Sequence, residues 1–584
     1  MAKKVIVMGG GVAGMSVAHE LARRGGFEVV VYEQRPVAGG KARSMDAIPG
    51  VGGRLPLPGE HGFRFFPGFY RHLPDTMTHI PYHGQTQGVF DNLVASTQVE
   101  MARDDDENAL IGPAHFPVTP SDWEATLRFA LQYTTKLGIA ADDQIHFVAL
   151  LSELMSACEE RRFDEYEYET WWEFSGAEQR SVAYQKFFAD GLTRSLVAAR
   201  AREMSARTGG YILLQLLKDL ATTGVQVDRV LNGPTCDVWI DPWLAEVERL
   251  DVTIRFCHRV EAINSRDNRV TGVRGRVIDD AAESGSAFED TADYYVAAVP
   301  VEVIREQIAM DELKRSCPAL AGLDALTVRW MNGIMFYLHD DVPLVHGHTI
   351  YIDSAWALTS ISQRQFWPHT NFSTMGDGRV GGILSVDISD WKTPGAYAAK
   401  GKTAMECTRE EVAEEVWAEL KESLNDRTET LRDANRAAWF LDPDIVPPNP
   451  TSAMNLEPLL VNTAGSWPHR PTAGLPEVEN LFLASDYVQT YTDLATMEGA
   501  NEAARRAVNA ILEASGSKAE PCGVWPLKVP GGLAFDVARH IDGLQYKVFG
   551  KRVRPLPTVV LSEGEPVVNP VTRVVRVAER LLPC

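Results

Sequence analysis

Residues 5–14 read Val-Ile-Val-Met-Gly-Gly-Gly-Val-Ala-Gly, a short apolar run that leads directly into a cluster of glycines. An apolar run of this length is typical of a buried parallel strand. Gly9, Gly11 and Gly14 follow the spacing G-x-G-x-x-G. In this motif the first glycine allows a tight turn, the second lets the backbone approach a pyrophosphate, and the third lets a helix pack closely on the strand. The stretch therefore predicts a strand, a tight turn and a helix.

The residues that follow extend this motif into a dinucleotide-binding unit. The helix is expected to start at Val12 and Ala13, where free N–H groups and the helix dipole favour negative charge. A second strand then delivers Glu33 and Gln34, with Glu33 19 residues after the third glycine. This is the spacing of a carboxylate that accepts hydrogen bonds from the ribose hydroxyls of an adenosine and disfavours a 2′-phosphate. We therefore predict a dinucleotide site that does not favour NADP.

A second glycine cluster, at residues 376–381, also fits the spacing. It follows a polar stretch that contains Pro and Asn, and it precedes an alternating run at 382–388. That context favours a hairpin turn over a phosphate-binding loop, because no strand leads into it. We therefore predict no separate NAD domain.

The segment after Glu33 suggests which dinucleotide is bound. Gly39, Gly40, Lys41, Ala42 and Arg43 form a run that resembles the GG-doublet motif of the flavin amine oxidase and phytoene desaturase superfamily. In that superfamily the backbone and the arginine of the motif lie against the pyrophosphate of FAD, and NAD enzymes do not carry it. The resemblance implies that these five residues bind FAD.

Residues 60–70, Glu-His-Gly-Phe-Arg-Phe-Phe-Pro-Gly-Phe-Tyr, carry a second resemblance. They are similar to the E-x-G-L-H-x-F-F-G-x-Y stretch of plant and cyanobacterial phytoene and zeta-carotene desaturases, which lies near the flavin ring. The resemblance implies that Gly62, Phe63 and Arg64 contact the flavin. Arg64 stands where those desaturases have histidine, and an arginine cannot act as a base near neutral pH.

The C-terminal part carries the matching half of the flavin site. Residues 480–484 read as a strand that ends at Ser485 and Asp486, where the family usually has Gly-Asp. The resemblance implies that Asp486 binds the ribityl chain or the pyrophosphate, and the small Ser485 is expected to preserve the turn. Residues 496–500, Thr-Met-Glu-Gly-Ala, resemble the S-M-E-G-A signature of the desaturases.

That signature starts a helix whose backbone N–H groups face the pyrimidine end of the isoalloxazine. The resemblance implies that Thr496, Met497 and Ala500 bind FAD, since a helix N-terminus there would stabilise the negative charge of reduced flavin. Glu498 and Arg64 are the candidate catalytic residues, by resemblance alone. Glu498 could equally be a structural partner of the flavin loop.

Two middle segments also resemble parts of the flavin domain. The strand around Val260 resembles the one whose backbone meets the adenine. Residues 293–300 resemble the D-x-V-I-x-A-x-P strand and turn that lead toward the substrate domain, which implies that Ala298 lies near the cofactor. Ordinary scaffold is the alternative interpretation of both segments.

These motifs predict an α/β fold: a discontinuous FAD-binding Rossmann-like domain of the amine-oxidase type, an inserted α+β substrate domain and a C-terminal extension. The FAD domain is expected at 1–100, 228–305 and 475–515, the substrate domain at 101–227 and 306–474, and the extension at 516–584. Apolar spacings of three and four predict helices. They fall at 127–137, 143–158, 184–205, 210–223, 306–315, 402–424 and 571–582, with strands near 326–338, 347–353 and 380–388.

Composition sets limits on partners and compartment. The chain has 584 residues, a net charge of −22 and 45% hydrophobic residues. An acidic chain disfavours nucleic acid and simple adsorption to anionic lipid. The seven cysteines show no C-x-x-C pair, and no run of 18 apolar residues occurs, so we expect a cytoplasmic protein without a metal site. Peripheral membrane contact and a homo-oligomer stay open.

Four functions remain to be weighed. The leading hypothesis is an FAD-dependent dehydrogenase or desaturase that transfers a hydride from an apolar, isoprenoid or lipid-like substrate to flavin N5, with a quinone or oxygen as the electron acceptor. The second is a flavin-dependent double-bond isomerase without net oxidation, and the third is an amine oxidase. The fourth is a non-catalytic prenyl-protein escort module, which shares the fold; the complete glycine motif and the two carboxylates Glu33 and Asp486 argue against it.

Overall fold

The computed structural model describes residues 2–104, 109–115, 117, 122, 136–191, 200–278, 285–425, 428–449, 452–552, 555, 559–562 and 565–568. The chain divides into two compact units. The first consists of Met1–Ala114, Gln226–Val461 and Pro468–Pro526. The second consists of His115–Val225, Asn462–Trp467 and Leu527–Cys584. The domain boundaries given above stay a prediction.

A six-stranded sheet, counted over the described residues, organises the first unit. Its central strand, Lys3–Met8, pairs in parallel with Phe27–Tyr32 on one side and with Tyr294–Ala297 on the other. The outer strands are Thr253–Arg255, Val478–Leu483 and the short antiparallel strand Gly474–Leu475. The predicted α/β Rossmann-like fold is therefore confirmed.

The local elements of the opening motif also agree with the sequence. Val5, Ile6, Val7 and Met8 are completely buried, as expected for a strand covered on both faces. The helix runs Val12–Arg24 and ends at Gly25. It packs against Met497–Ser515, the helix that carries the C-terminal signature.

A seven-stranded sheet, again within the described residues, forms the other large layer of the first unit. The strand Asn332–Leu338 pairs with Arg436–Leu441 and with Gly382–Ile388. The order continues through the following strands: Leu358–Ser362, Gly347–Tyr351, Gln98–Ala102 and Leu110–Pro113. The helix Arg409–Leu424 packs on this sheet, with Trp417 against Phe336.

Two helices in this region differ from prediction. The helix expected at 402–424 begins at Arg409, because Thr408 and Glu411 form a capping box that fixes its first turn. The helix expected at 306–315 is wrong as one element. The structure has Val301–Glu306 and Asp311–Ser316 instead, since the backbone at Met310 (φ −150°) is not helical.

Smaller elements complete the first unit. A meander joins three strands: His258–Arg266, Arg269–Val277 and Ala287–Asp290. The described residues of this unit form four two-stranded pairs: Ser44–Ile48 with Leu57–Glu60, Leu93–Ala95 with Arg229–Leu231, Thr327–Arg329 with Leu459–Val461, and Ile445–Asn449 with Ser452–Asn455. The remaining helices are His72–Met77, Cys236–Ile240, Asp241–Arg249 and Pro318–Gly322, with short turns at Gly40–Ala42, Gly88–Asn92, Leu323–Ala325, Phe372–Thr374, Ala404–Glu406 and Asp433–Asn435. The second glycine cluster lies in the turn after Phe372–Thr374 and leads into the strand Gly382–Ile388, as predicted.

The second unit is mainly helical over its described residues. Its long helices are Ala141–Ser156, Ala206–Leu220 and Gly532–Phe549. The side chains of Arg161 and Asp542, both fully buried, form an ion pair at 2.8 Å between Nη2 and Oδ1. Shorter elements are Glu159–Arg161, Arg162–Tyr166, Trp171–Phe174, Ala177–Gln179, Val182–Tyr184, Gln185–Asp190, Gly550–Arg552 and the hairpin Val559–Ser562 with Glu565–Val568.

The long helices of this unit match the predictions at 143–158 and 210–223 within a few residues. Most of the helix predicted at 127–137, residues 192–199 of the one at 184–205, and all of 571–582 lie outside the described residues. Residues 200–205 form a turn and two isolated bridges, so the prediction of a helix as far as residue 205 is wrong. Over the described part of the chain, no helix combines the length and hydropathy that crossing a bilayer requires.

Candidate active site

A cavity of about 350 Å³ opens at the carboxyl ends of the parallel strands in the first unit. This edge is where open α/β sheets bind their ligands. Twenty of the sequence-predicted site residues line it. They are Gly9, Gly11, Val12, Ala13, Glu33, Gln34, Gly39, Gly40, Lys41, Ala42, Gly62, Phe63, Arg64, Val260, Ala298, Ser485, Asp486, Thr496, Met497 and Ala500.

At each of the three glycines of the opening motif, an added side chain would have a different steric consequence. Gly9 has φ +102°, and a Cβ there would lie 2.6 Å from the carbonyl oxygen of Ala298. A Cβ on Gly14 would lie 1.9 Å from the carbonyl oxygen of Gly9, so Gly14 permits helix packing and does not line the cavity. A Cβ on Gly11 would meet no atom nearer than Gly40 Cα, at 3.6 Å. Gly11 therefore keeps open the space beside the helix N-terminus.

Glu33 is held rigidly at the cavity wall. One carboxylate oxygen accepts the N–H of Gly10 at 2.6 Å, and the other accepts the N–H of Arg35 at 2.8 Å. Burial raises the pKa of Glu33, while these two backbone donors oppose the shift. Because Glu33 lines the same cavity as Val260, the acid and the segment expected at the adenine share one compartment.

The GG-doublet forms a tight loop beside the first glycine loop. Gly39 and Gly40 both have positive φ, and the N–H of Gly39 donates to the carbonyl of Gly10 at 2.9 Å. Lys41 faces the cavity, where its Nζ lies 2.8 Å from Glu302 Oε1. The two loops therefore make one continuous backbone surface.

Arg43 differs from its expected position against a pyrophosphate. Its side chain is 5% exposed and does not line the cavity. Its Nη2 lies 3.1 Å from Asp444 Oδ2, and its Nη1 lies 3.1 Å from Glu457 Oε1. Burial lowers the pKa of Arg43, but these carboxylates outweigh burial and raise it above its usual value. Because the two carboxylates hold its guanidinium, Arg43 supports the GG-doublet loop and does not face the cavity.

Arg64 reaches the cavity and ties two loops together. Its Nη2 donates to the carbonyl of Lys41 at 2.6 Å, and its Nη1 donates to the carbonyl of Gly62 at 2.5 Å. A longer contact of 3.4 Å joins its Nε to the carbonyl of Ala42. With its donors directed to backbone carbonyls, Arg64 is suited to hold the GG-doublet loop and the 60–70 stretch in one geometry.

Replacing Arg64 by methionine should loosen this attachment. A hydrogen bond with one charged partner contributes about 1.5–3 kcal/mol, so we expect FAD to bind about tenfold more weakly while the protein stays folded. Titration of the apoprotein with FAD, followed by flavin fluorescence, measures the change. Arg54→Met is the matched control, because exposed Arg54 also donates to two carbonyls, those of Val51 and Ser373, outside the cavity. Equal affinity of the two variants would contradict the role given to Arg64.

Glu498 does not line the cavity, although it was a candidate catalytic residue. Its side chain is 1% exposed. Oε1 accepts the N–H groups of Arg71 and His72, and Oε2 accepts that of Leu73, at 2.7–2.8 Å. The Nδ1 of His72 lies 2.7 Å from Oε1, and its Nε2 accepts the N–H of Trp525. Glu498 is therefore a buried structural anchor, which is the second role considered for it above.

The neighbours of Glu498 do face the cavity. Thr496 caps the helix Met497–Ser515 by accepting the N–H of Gly499 at 3.1 Å. Because Thr496, Met497 and Ala500 all line the cavity, the positive end of this helix dipole points into it. Ser485 donates to Asp486 Oδ1 at 3.2 Å, so the serine is accommodated in the turn.

Several lining residues were not predicted from the sequence. The most notable are His61, Asp387, Glu302, Met331 and Asn332. His61 follows Glu60 within the recognised stretch, so proximity in sequence could have marked it. Its Nδ1 contacts Asp442 Oδ2, near Glu457, and its Nε2 has no hydrogen-bond partner within the described part of the chain.

The cavity fits a flavin dinucleotide on its own geometry. Gly11 leaves open the backbone surface that a pyrophosphate requires, and two helix N-termini, at Val12 and Met497, offer positive dipole ends. Glu33 lies where an adenosine ribose is expected. A cavity with an anion cradle and apolar walls at Phe63 matches a ligand that has a diphosphate and a ring system.

The chain belongs to the flavin containing amine oxidoreductase family, whose family model matches residues 12–512. It is therefore an FAD-dependent oxidoreductase. The predicted superfamily and the predicted cofactor, FAD, are confirmed.

Solved structures agree with this assignment at the level of fold. The chain is similar to cyclohexylamine oxidase from Brevibacterium oxydans IH-35A, with a TM-score of 0.57 and 14% identity over 88% of this chain and 100% of that one. It is similar to putrescine oxidase bound to putrescine, with a TM-score of 0.56 and 12% identity over 88% and 99%. An oxidoreductase from Methanosarcina mazei gives a TM-score of 0.52 and 14% identity over 87% and 100%.

A local sequence match points in another direction. A stretch of 69 residues is 48% identical to the carotenoid phi-ring synthase of Chlorobaculum tepidum. It covers 12% of this chain and 10% of that protein, so the match spans about a tenth of that relative.

Proposed function

We propose that this oxidoreductase dehydrogenates an apolar substrate of the isoprenoid or lipid-like class. The observation that carries the proposal is the 48% identity over 69 residues to a carotenoid ring synthase. Identity to the amine oxidases named above is 14% or less. Motif resemblance at 60–70 and at 496–500 supports the same substrate class.

The walls of the cavity suit such a substrate. Its apolar and aromatic lining side chains include Phe63, Phe65, Tyr70, Ile308, Met331, Leu456, Leu459 and Met497. Burial of apolar surface contributes about 25 cal/mol per Å², which is the main source of affinity available to a hydrocarbon chain. An apolar lining also excludes water from the reacting carbons.

Bound FAD would supply an acceptor, at N5, for the hydride that leaves the substrate, with a quinone or oxygen as the final oxidant. We assign its cradle to the glycine loop, the GG-doublet and the helix N-terminus at Met497, together with Glu33 and Asp486. The work of the chain is to orient the substrate against the ring and to keep the site dry. Contact with a lipid surface and self-association stay predictions.

Anaerobic bleaching of the bound flavin tests the substrate class. We expect a linear polyene or isoprenoid precursor, presented in lipid vesicles, to bleach the flavin, and a panel of primary amines to leave it oxidised. Empty vesicles provide the control. Bleaching by an amine alone would overturn the proposal. Isomerised polyene recovered without net bleaching would instead support a double-bond isomerase.

A further inference from the structure

One carboxylate in the cavity has no role in the cofactor cradle. Asp387 lies on the strand Gly382–Ile388, whose seven residues are all buried. It is 6% exposed and lines the cavity. Its Oδ1 has no hydrogen-bond partner among the residues that the structure describes. A buried acceptor without a partner is costly, and because this oxygen faces Gly62 its environment disfavours the charged form of the carboxyl group.

The position of Asp387 places it beside the stretch expected near the flavin ring. A Cβ on Gly62 would lie only 2.5 Å from Asp387 Oδ1. Asp387 also pairs with Gly333 on the neighbouring strand, and the backbone of Gly62 packs closely on that glycine, since a Cβ on Gly333 would lie 2.5 Å from Gly62 Cα. The carboxyl group therefore lies at the cavity wall, against the 60–70 stretch.

The charged groups around Asp387 are Arg64, His348 and Glu60, and the backbone N–H of Phe63 also faces it. His348 is itself held from behind: its Nδ1 lies 2.7 Å from Asp228 Oδ2. Its Nε2 has no hydrogen-bond partner in the described part of the chain. Asp228 therefore contacts His348, and His348 acts electrostatically on Asp387.

We propose that Asp387 is the proton acceptor of the dehydrogenation. In this proposal His348, which Asp228 holds in place, stabilises the carboxylate form of Asp387. This inference rests on the proposed function. One substrate carbon loses a hydrogen with both bonding electrons, as hydride, to FAD. The neighbouring carbon loses a proton to the Asp387 carboxylate, which becomes a carboxylic acid. The electron pair left on that carbon forms the new double bond, and the proton later passes to solvent.

The protonation state of Asp387 suits this task. Burial raises its pKa to about 7, against the lowering effects of Arg64, the Phe63 N–H and His348 and with a small contribution from Glu60. For His348, burial lowers the pKa, but the carboxylates of Asp228 and Asp387 outweigh burial and raise it. Asp387 is therefore a carboxylate, able to take a proton, above about pH 7 and an acid below it. A base near neutral pKa is the efficient choice at physiological pH.

The first test is anaerobic flavin reduction by the polyene between pH 5 and pH 9. In the wild type, the rate should fall about tenfold per pH unit below about pH 7. Asp387→Asn keeps the side-chain shape and removes the buried charge, so the protein should fold and bind FAD. Above pH 7 we expect it to react about 100-fold more slowly and to lose the pH-dependent limb. Asp377→Asn, which changes an exposed acid in the turn before the same strand, should behave as wild type.

The second test needs no substrate. Infrared spectroscopy of the FAD-bound protein follows the carbonyl stretch of protonated carboxylic acids. Burial raises the pKa of Glu419 to about 7 as well, so a band from Glu419 should titrate near pH 7 in both proteins. The wild type should show an additional band titrating near pH 7 that Asp387→Asn lacks. His348→Gln removes a cation that lowers the pKa of Asp387, so the titration should move to higher pH. If His348 had only a structural role, His348→Gln would leave the pH of this titration unchanged.

The outcomes separate this inference from the function on which it rests. If the polyene does not reduce wild-type flavin, the proposed function fails. If it does, and Asp387→Asn reacts at the wild-type rate with the same pH profile, the assignment of Asp387 is wrong. If the wild type and Asp387→Asn give the same infrared titration near pH 7, the assignment is wrong whatever the substrate.

Discussion

Gly11→Ala is expected to give a folded protein that no longer retains FAD. Gly11 has φ −75° and ψ −173°, a conformation that alanine adopts without strain. The new methyl group meets nothing nearer than Gly40 Cα at 3.6 Å. It would, however, occupy the surface on which the pyrophosphate must lie. We expect affinity for FAD to fall about 100-fold or more, which corresponds to about 2.7 kcal/mol.

The absorbance ratio of flavin to protein after purification, and FAD titration of the apoprotein, measure this effect. Gly543→Ala is the matched control, because a Cβ there also meets its nearest neighbour, Cys158 Cβ, at 3.6 Å, on a helix away from the cavity lining. Gly14→Ala gives the contrast: its Cβ would clash with a backbone oxygen at 1.9 Å, so it should fail to fold. Full FAD content in Gly11→Ala would contradict the assigned cradle.

Glu498→Ala should strongly destabilise the first unit. It leaves the N–H groups of residues 71–73 and the ring of His72 without their shared acceptor, in a site that water does not reach. Breaking a buried charged network of this kind costs about 3–5 kcal/mol. The temperature at which FAD fluorescence appears on heating measures the change, and it should fall well below the wild-type value.

The pH dependence of stability offers a second check on the role of Glu498. Burial alone would raise the pKa of Glu498, but His72 and the backbone N–H groups outweigh burial and lower it. A lowered pKa stabilises the native state fully above the unfolded value of 4.5, and the contribution is lost as pH falls through the folded pKa. The difference in unfolding temperature between the wild type and Glu498→Ala should therefore become smaller at acidic pH. Glu513→Ala, an exposed acid on the same helix, should show neither effect.

Local patterns were the part of the fold and site that the sequence could predict. The strand Lys3–Met8, the helix Val12–Arg24 and the acid Glu33 depend on neighbours within about 30 residues, and the glycine motif specifies all three. The FAD assignment also held, because each half of the flavin site is a contiguous motif.

Side-chain direction was not predictable in the same way. Arg43 turns toward Asp444 and Glu457, about 400 residues along the chain, and Glu498 turns toward the backbone of residues 71–73. In neither case does the sequence around the residue indicate which partner its side chain contacts. Asp387 was missed for a related reason: it reaches the cavity only because two strands pair across it. A carboxylate within the apolar run 382–388 was the one available signal.

The walls of the cavity come from both ends of the first unit, from Met8 to Ala500. The ribosome releases these residues in order, so a nascent chain carries the glycine loop long before the helix at Met497 exists to face it. Likewise, the strand Tyr294–Ala297 is synthesised well before Val478–Leu483, its outer partner in the sheet. The complete cavity can therefore form only after Ala500 has been synthesised, and until then the growing chain must keep its apolar strands from aggregating.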